Sequence, residues 1–285
     1  MTNQHVLVIG GSSGMGLALA ARLLRGGHRV TVAGRSATRL ATAAAHLTAP
    51  AAHAIAPAGH LAGPATHLTA SAAHVTGPAA HLADTAGQLT AADHEVAGRL
   101  GTAQVDIGVE EQVEALAEHT YDHVVVTAAD AVGAYAPLPA FTVEAATAVL
   151  ATKVLGPWLV AKHLGGALPP GGSLVFTSGI AAYRPGPGAS IIATANGALE
   201  SLARALALEL APARVNVVSP GWVDTPIWDT LAGAAKGERL AAMAARLPTG
   251  RVGTPDDIAR AIVALLDNGF VTGTVLHVDG GHRLV

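Results

Sequence analysis

Val6-Leu7-Val8-Ile9-Gly10-Gly11-Ser12-Ser13-Gly14-Met15-Gly16 is an unbroken apolar run that gives way to glycines. Four apolar residues without polar alternation read as a strand buried on both faces, the mark of a parallel sheet. Leu17–Arg25 follows with helical character and is stopped by Gly26-Gly27. Glycines between a buried strand and a helix let the backbone turn tightly and approach a phosphate. The helix start adds free N–H groups and a partial positive charge.

The same alternation continues outward. Val30-Thr31-Val32-Ala33, Val124-Val125-Val126, Leu174-Val175-Phe176, Val215-Asn216-Val217-Val218 and Val275-Leu276-His277-Val278 are further strand candidates. Helical stretches lie between them at Glu110–Glu118, Thr142–Leu164, Thr194–Leu210 and Asp256–Leu266. Pro212 follows one helix end, and Thr254-Pro255-Asp256-Asp257 is a helix start. Leu199, Leu202, Leu206 and Leu210 form one apolar stripe, suited to core or subunit packing. The pattern predicts one α/β domain over 1–285, a three-layer, doubly wound parallel sheet with helices on both faces.

Composition narrows the function classes. Of the 285 residues 51% are hydrophobic but only 3% aromatic, so the core must rest on Val, Leu, Ile and close Ala/Gly packing. The formal net charge of −3 and the absence of any like-charge block argue against a nucleic-acid footprint. With no cysteine, disulfides and thiolate metal sites are excluded. No basic leader precedes the first strand, and no run of ~18 residues is apolar without proline or charge. A soluble, cytoplasmic protein that neither binds nor spans a membrane is the expectation.

One segment, 46–95, departs from the pattern. Seven-residue units such as HLTAPAA and HLAGPAT repeat, with His at 46, 53, 60, 67, 74 and 81 and Pro at 50, 57, 64 and 78. On a helix, residues seven apart lie ~10.5 Å apart along the axis. Ligands of one Zn²⁺ lie only ~2 Å from the metal, so no metal site is expected here. Each proline would also cost a continuous helix ~3 kcal/mol. The segment reads as a low-complexity insertion within the domain, since long surface loops cost little closure entropy.

The glycine turn resembles that of the short-chain dehydrogenase/reductase family, whose Gly-x-x-x-Gly-x-Gly pattern is met by Gly10, Gly14 and Gly16. Asp106-Ile107 resembles the family's adenine-side pair. Ser219-Pro220-Gly221-Trp222-Val223-Asp224-Thr225 resembles its nicotinamide loop, and Val278-Asp279-Gly280-Gly281 its last strand ending. The resemblance covers nearly the whole chain except about 46–95. It implies a Rossmann fold and a cofactor held by Gly10, Ser12, Ser13, Gly14, Met15, Gly16, Arg35, Ser36, Asp106, Ile107, Ala128, Ala129, Asn196, Pro220, Gly221, Val223 and Thr225. The second strand ends Ala33-Gly34-Arg35-Ser36 without an acid, and Arg35 suits a 2′-phosphate, which predicts NADP(H) over NAD(H).

The same resemblance implies unusual chemistry. The family's helical Asn falls on Lys153, its Ser on Gly179 beside Ser178, its Tyr on Ile192 and its Lys on Asn196. All four catalytic positions are then substituted. The candidates left for proton transfer or substrate contact are Lys153, Ser178, Asp130 and Tyr183. Three readings stay open. One is an atypical NADPH-dependent oxidoreductase reducing a small apolar carbonyl, enone or imine. The second is a non-redox cyclase, isomerase or dehydratase, and the third a non-catalytic dinucleotide-binding protein. A homo-oligomer, dimer or tetramer, is expected through helices 142–164 and 194–210 and the last strand. Trp228–Leu247, between Pro226 and Pro248, resembles the family's substrate lid. With Trp222, Trp228, Met243 and Leu247 it points to an apolar small-molecule substrate.

Overall fold

Seven parallel strands form one sheet in the order β3-β2-β1-β4-β5-β6-β7. They are β1 (His5–Ile9), β2 (Arg29–Gly34), β3 (Leu100–Gln104), β4 (His123–Val126), β5 (Ser173–Thr177), β6 (Arg214–Pro220) and β7 (Val275–Val278). The order reverses between β1 and β4, which opens a crevice at the strands' carboxyl ends. The computed structural model describes residues 3–49, 96, 98–128 and 133–285.

Strand alternation explains the unbroken apolar runs. Leu7, Ile9, Val124, Val126, Leu174 and Phe176 point to one face of the sheet. They meet Leu159, Val160 and Leu164 from α5 (Gly156–Leu164) and Leu199, Ala203 and Leu206 from α6 (Ser190–Glu209). Val6, Val8, Val32, Val125, Val175 and Val218 point to the other face. There they meet Leu19 and Leu23 of α1 (Gly14–Arg25) and Ile258, Ile262 and Leu265 of α9 (Pro255–Asp267).

The structure adds elements that the sequence pattern did not separate. β3, Leu-Gly-Thr-Ala-Gln, carries no β-branched apolar run because it is the half-exposed edge strand beside β2. α2 (Ala37–Thr48) buries only Leu40 and Ala43, too narrow a stripe to stand out in an Ala/Thr-rich stretch. It takes in His46, Leu47 and Thr48, so the first repeat unit begins inside a helix, while 50–95 lie outside the described residues. The expected helix 142–164 is three joined pieces: α4 (Val143–Leu150), a π-helical turn (Ala151–Leu155) and α5. α6 starts at Ser190, four residues earlier than expected. Short α3 (Glu110–Glu114) precedes β4, and the segment expected as a lid holds α7 (Ile227–Ala232) and α8 (Lys236–Arg246).

Two helical stretches, Val143–Ala167 and Ser190–Glu209, are long and apolar enough to cross a membrane by composition alone. In this fold both lie along the sheet, and their inward residues complete its core.

Histidines stand at the amino ends of β1, β2 and β4: His5, His28 and His123. His123 is 1% exposed, with Nδ1 2.9 Å from Ser173 Oγ. Burial, with a smaller effect of Arg214, holds its pKa down at about 4. Burial likewise lowers His5 and His28. A histidine depressed in the folded state stabilises fully above its unfolded pKa and loses that contribution as pH falls toward the folded value. Lowering the pH from 7.5 to 5 should therefore cost about 2 kcal/mol through His123 alone. Urea unfolding of His123→Gln and the parent at both pH values measures it, and the variant should show the smaller loss.

Candidate functional site

The glycine turn is fixed by lack of room. A Cβ on Gly16 would lie 2.4 Å from the Gly10 carbonyl oxygen and 2.5 Å from Thr127 Oγ1. A Cβ on Gly10 would lie 2.6 Å from the Ala128 nitrogen. Gly10 and Gly14 also hold φ of +87° and +53°, a region that L side chains rarely enter. α1 thus starts directly against the tips of β1 and β4. The Ser13 side chain at its start does not cap its first N–H groups, which leaves them for an anion.

A cleft of about 350 Å³ opens at this turn. Gly10, Ser12, Ser13, Gly14, Met15 and Gly16 form its floor. Asp106, Ile107, Thr127 and Ala128 close one side, and Thr225, Pro226, Ile227 and Thr230 the other. Asp106 steadies its own turn by accepting from the Gly108 N–H at 2.9 Å. Ile107 packs on Gly156, where a Cβ would come within 2.7 Å of its side chain. The far end holds Arg35 and, one helical turn on, Arg39. The sequence reading missed Arg39, although its place four residues after Arg35 at a helix start was the available signal.

Other nominated residues stand back from the cleft. Ser36 caps α2, its hydroxyl accepting from the Arg39 N–H. Pro220 ends β6, and Gly221 lets the Asp279 backbone approach where a Cβ would meet it at 2.7 Å. Val223 is buried and bridges to Gly253. Trp222 and Trp228 stack on each other at 4.3 Å, while Met243 and Leu247 are buried. Ala129 and Asp130 lie outside the described residues.

Lys153, Asn196, Ser178 and Tyr183 meet instead around the end of β5. Lys153 projects from the π-helical turn, donating to the Thr177 carbonyl at 2.8 Å and approaching that of Ser178 at 3.5 Å. Asn196 Nδ2 donates to the Gly179 carbonyl at 3.4 Å, and its buried Oδ1 has no partner among the described residues. The Ser178 and Tyr183 hydroxyls both donate to Glu200, at 2.8 Å to Oε1 and 2.5 Å to Oε2. Glu200 is 5% exposed and was not nominated from the sequence, where a single acid in an Ala/Leu-rich helix reads as surface. Ile192 takes no part and packs with Ala134, Val149, Ala189 and Ala195 in a small apolar cluster.

Lys153 is buried beside carbonyls alone, with no ion pair among the described residues. Burial pulls its pKa down to about 8. A lysine lowered this way binds its proton less well folded than unfolded, so below pH ~8 it costs stability. Lys153→Met should then stabilise the fold by up to about 3 kcal/mol at pH 7, with the gain shrinking as pH rises toward 10. Urea unfolding at pH 7 and 9.5 measures this, and a destabilised variant at pH 7 would contradict it.

The chain matches the family model described as Enoyl-(Acyl carrier protein) reductase over residues 62–283 and the short chain dehydrogenase model over residues 4–76. It is 33% identical over 205 residues to the short-chain dehydrogenase/reductase ucsE of an Acremonium species, covering 67% of this chain and 76% of that protein. It is 39% identical over 164 residues to the short-chain dehydrogenase/reductase malC of Malbranchea aurantiaca, covering 57% of this chain and 62% of that protein's length. The solved structure titled MalC Reductase/Diels-Alderase superposes with a TM-score of 0.79 at 29% identity, over 100% of this chain and 98% of that one. A small-chain dehydrogenase in complex with NADPH superposes with a TM-score of 0.70 at 26% identity, over 99% of this chain and all of that one. With its sheet order, its glycine turn and these matches, the chain belongs to the short-chain dehydrogenase/reductase family.

Proposed function

We propose that this protein is an atypical NADPH-dependent oxidoreductase acting on a small apolar carbonyl, enone or imine. The observation that carries the reading is the cleft, which joins an uncapped helix start to Arg35 and Arg39. The residues fit a 2′-phosphorylated dinucleotide. The α1 N–H groups would meet its pyrophosphate and the two guanidinium groups its 2′-phosphate. NADPH supplies the hydride when bound, and the protein orients the acceptor and excludes water.

Ile192 and Asn196 stand, on this reading, where relatives carry Tyr and Lys. The Ile192 side chain sits in an apolar cluster and cannot deliver a proton. Lys153, Ser178, Tyr183 and Asp130 are the groups left to do so or to contact substrate. A substrate with its own positive charge, such as an iminium, needs less acid help. A second reading, a cyclase on the same scaffold, is favoured by the aprotic Ile192 and by the double description, Reductase/Diels-Alderase, of the Malbranchea structure. Leu155, Trp158 and Leu208 are exposed on the two long helices, which supports a homo-oligomer formed through them. A cytoplasmic, membrane-free small-molecule enzyme is part of the same proposal.

Titration followed by cofactor fluorescence tests the cofactor. NADPH should bind at least tenfold tighter than NADH, and Arg35→Ala should remove most of the difference. Equal affinities would overturn the preference. NADPH oxidation at 340 nm with 1-decalone, 2-cyclohexen-1-one and 3,4-dihydroisoquinoline tests the reaction. Binding of NADPH without turnover of any of the three would favour the cyclase reading.

A further inference from the structure

The turn after β5 holds a connected set of protonatable groups that runs from solvent inward. Tyr183 is 41% exposed, and its ring packs edge-on against His277 with centroids 4.7 Å apart. Its hydroxyl donates to Glu200 Oε2, while Ser178 donates to Oε1 of the same buried carboxylate. Ser178 follows the last residue of β5, and β5 is the neighbour of β4, whose end borders the cleft. Lys153 holds the two carbonyls beside it, at Thr177 and Ser178. Nothing in the fold of this turn demands three such side chains. Backbone bonds from Ser178 to Val218 and from Ala182 and Tyr183 to Gly179 and Ile180 already shape it.

We propose that Tyr183, Glu200 and Ser178 form the proton path of the reduction, with Ser178 touching the substrate oxygen and Glu200 acting as the positioning and relay residue. This rests on the oxidoreductase reading. When the substrate carbonyl carbon takes a hydride from the reduced nicotinamide, the C=O π pair becomes an oxygen lone pair. That oxygen takes the Ser178 proton. Glu200 takes the Tyr183 proton on Oε2, turns about its Cγ–Cδ bond and passes it to the Ser178 oxygen. Tyr183 is left as a phenolate at the surface and regains a proton from water. The overall change is one hydride and one proton added to the carbonyl. The step from the Tyr183 phenol to the Glu200 carboxylate is uphill, but a phenol is a stronger acid than a simple alcohol, so the net transfer from Tyr183 to the alkoxide runs downhill. The path would stand in for the acid that Ile192 cannot supply.

The groups facing Tyr183 are Glu200 and Arg204 from α6, His277 from β7 and Arg283 from the C-terminal segment. Burial and Glu200 push the Tyr183 phenol up to about 12. The first measurement needs no substrate. Phenolate absorbance, taken as the difference between the parent and Tyr183→Phe, should show Tyr183 ionising near pH 12, and Glu200→Gln should move it toward 10. An unchanged midpoint in Glu200→Gln would overturn the proposal. The second uses whichever of 1-decalone, 2-cyclohexen-1-one or 3,4-dihydroisoquinoline the parent reduces. Tyr183→Phe and Glu200→Gln should each lower kcat about a hundredfold or more, with KM and NADPH affinity within about threefold. Tyr183→Phe keeps the ring and decides the matter if Glu200→Gln does not fold. Parental turnover by Tyr183→Phe overturns the path alone. Failure of the parent to reduce any of the three probes overturns it together with the oxidoreductase reading.

Discussion

Gly16 touches the Gly10 carbonyl and the Thr127 hydroxyl so closely that no side chain fits between them. That contact puts the first turn of α1 against the tips of β1 and β4, at the point where the strand order reverses. Everything that makes the cleft a binding site follows from it. The N–H groups of α1 face the cleft without a cap from the Ser13 side chain. The loop carrying Thr225 and Pro226 then closes the opposite side, only 3.4 Å from where a Gly14 Cβ would sit. Away from this contact the two faces of the sheet are packed with Val, Leu and Ile and only a few alanines.

The tip of β5 obeys a different constraint. Three long polar side chains, Lys153, Asn196 and Glu200, converge there from two helices, and all three are buried. Burying a cation without a counter-ion is costly, and Lys153 spends its hydrogen bonds on backbone carbonyls. It comes from a π-helical turn, a feature often found at functional sites, which lengthens the helix by one residue there. A fold that needed only stability would place an apolar residue at 153. A buried amine held by backbone carbonyls at the end of β5, beside the turn where Ser178 bonds the buried Glu200, is an argument from energetics for chemistry at this spot.

Much of the fold was legible because buried parallel strands leave a run of Val, Leu and Ile that few other structures require. Six of the seven strands carry it, and β3 escaped because its half-exposed stretch is Leu-Gly-Thr-Ala-Gln, although β7 at the other edge keeps Val-Leu-His-Val. α2 escaped for the related reason that its buried stripe is two residues wide. The glycine turn was legible because positive φ and close approach restrict those positions to one residue type. Helix boundaries were less so, since the π-helical turn and the early start of α6 depend on packing that no local pattern encodes.

The site was legible only where backbone geometry dictates residue identity. Arg35 could be read because a missing acid at the end of β2 has a chemical meaning. Arg39 depends on how α2 turns back over the cleft, and Glu200 on which face of α6 meets the loop after β5. Ser178 and Tyr183 were nominated separately, as residues near the right place. The fold joins them through an acid that the sequence offers no reason to single out. Sequence reading finds groups that act alone against a backbone. A set that acts through a shared buried partner becomes visible only when helix and turn are packed together. Glu200, accepting from both hydroxyls, is what turns two scattered candidates into one connected path from solvent to the end of β5.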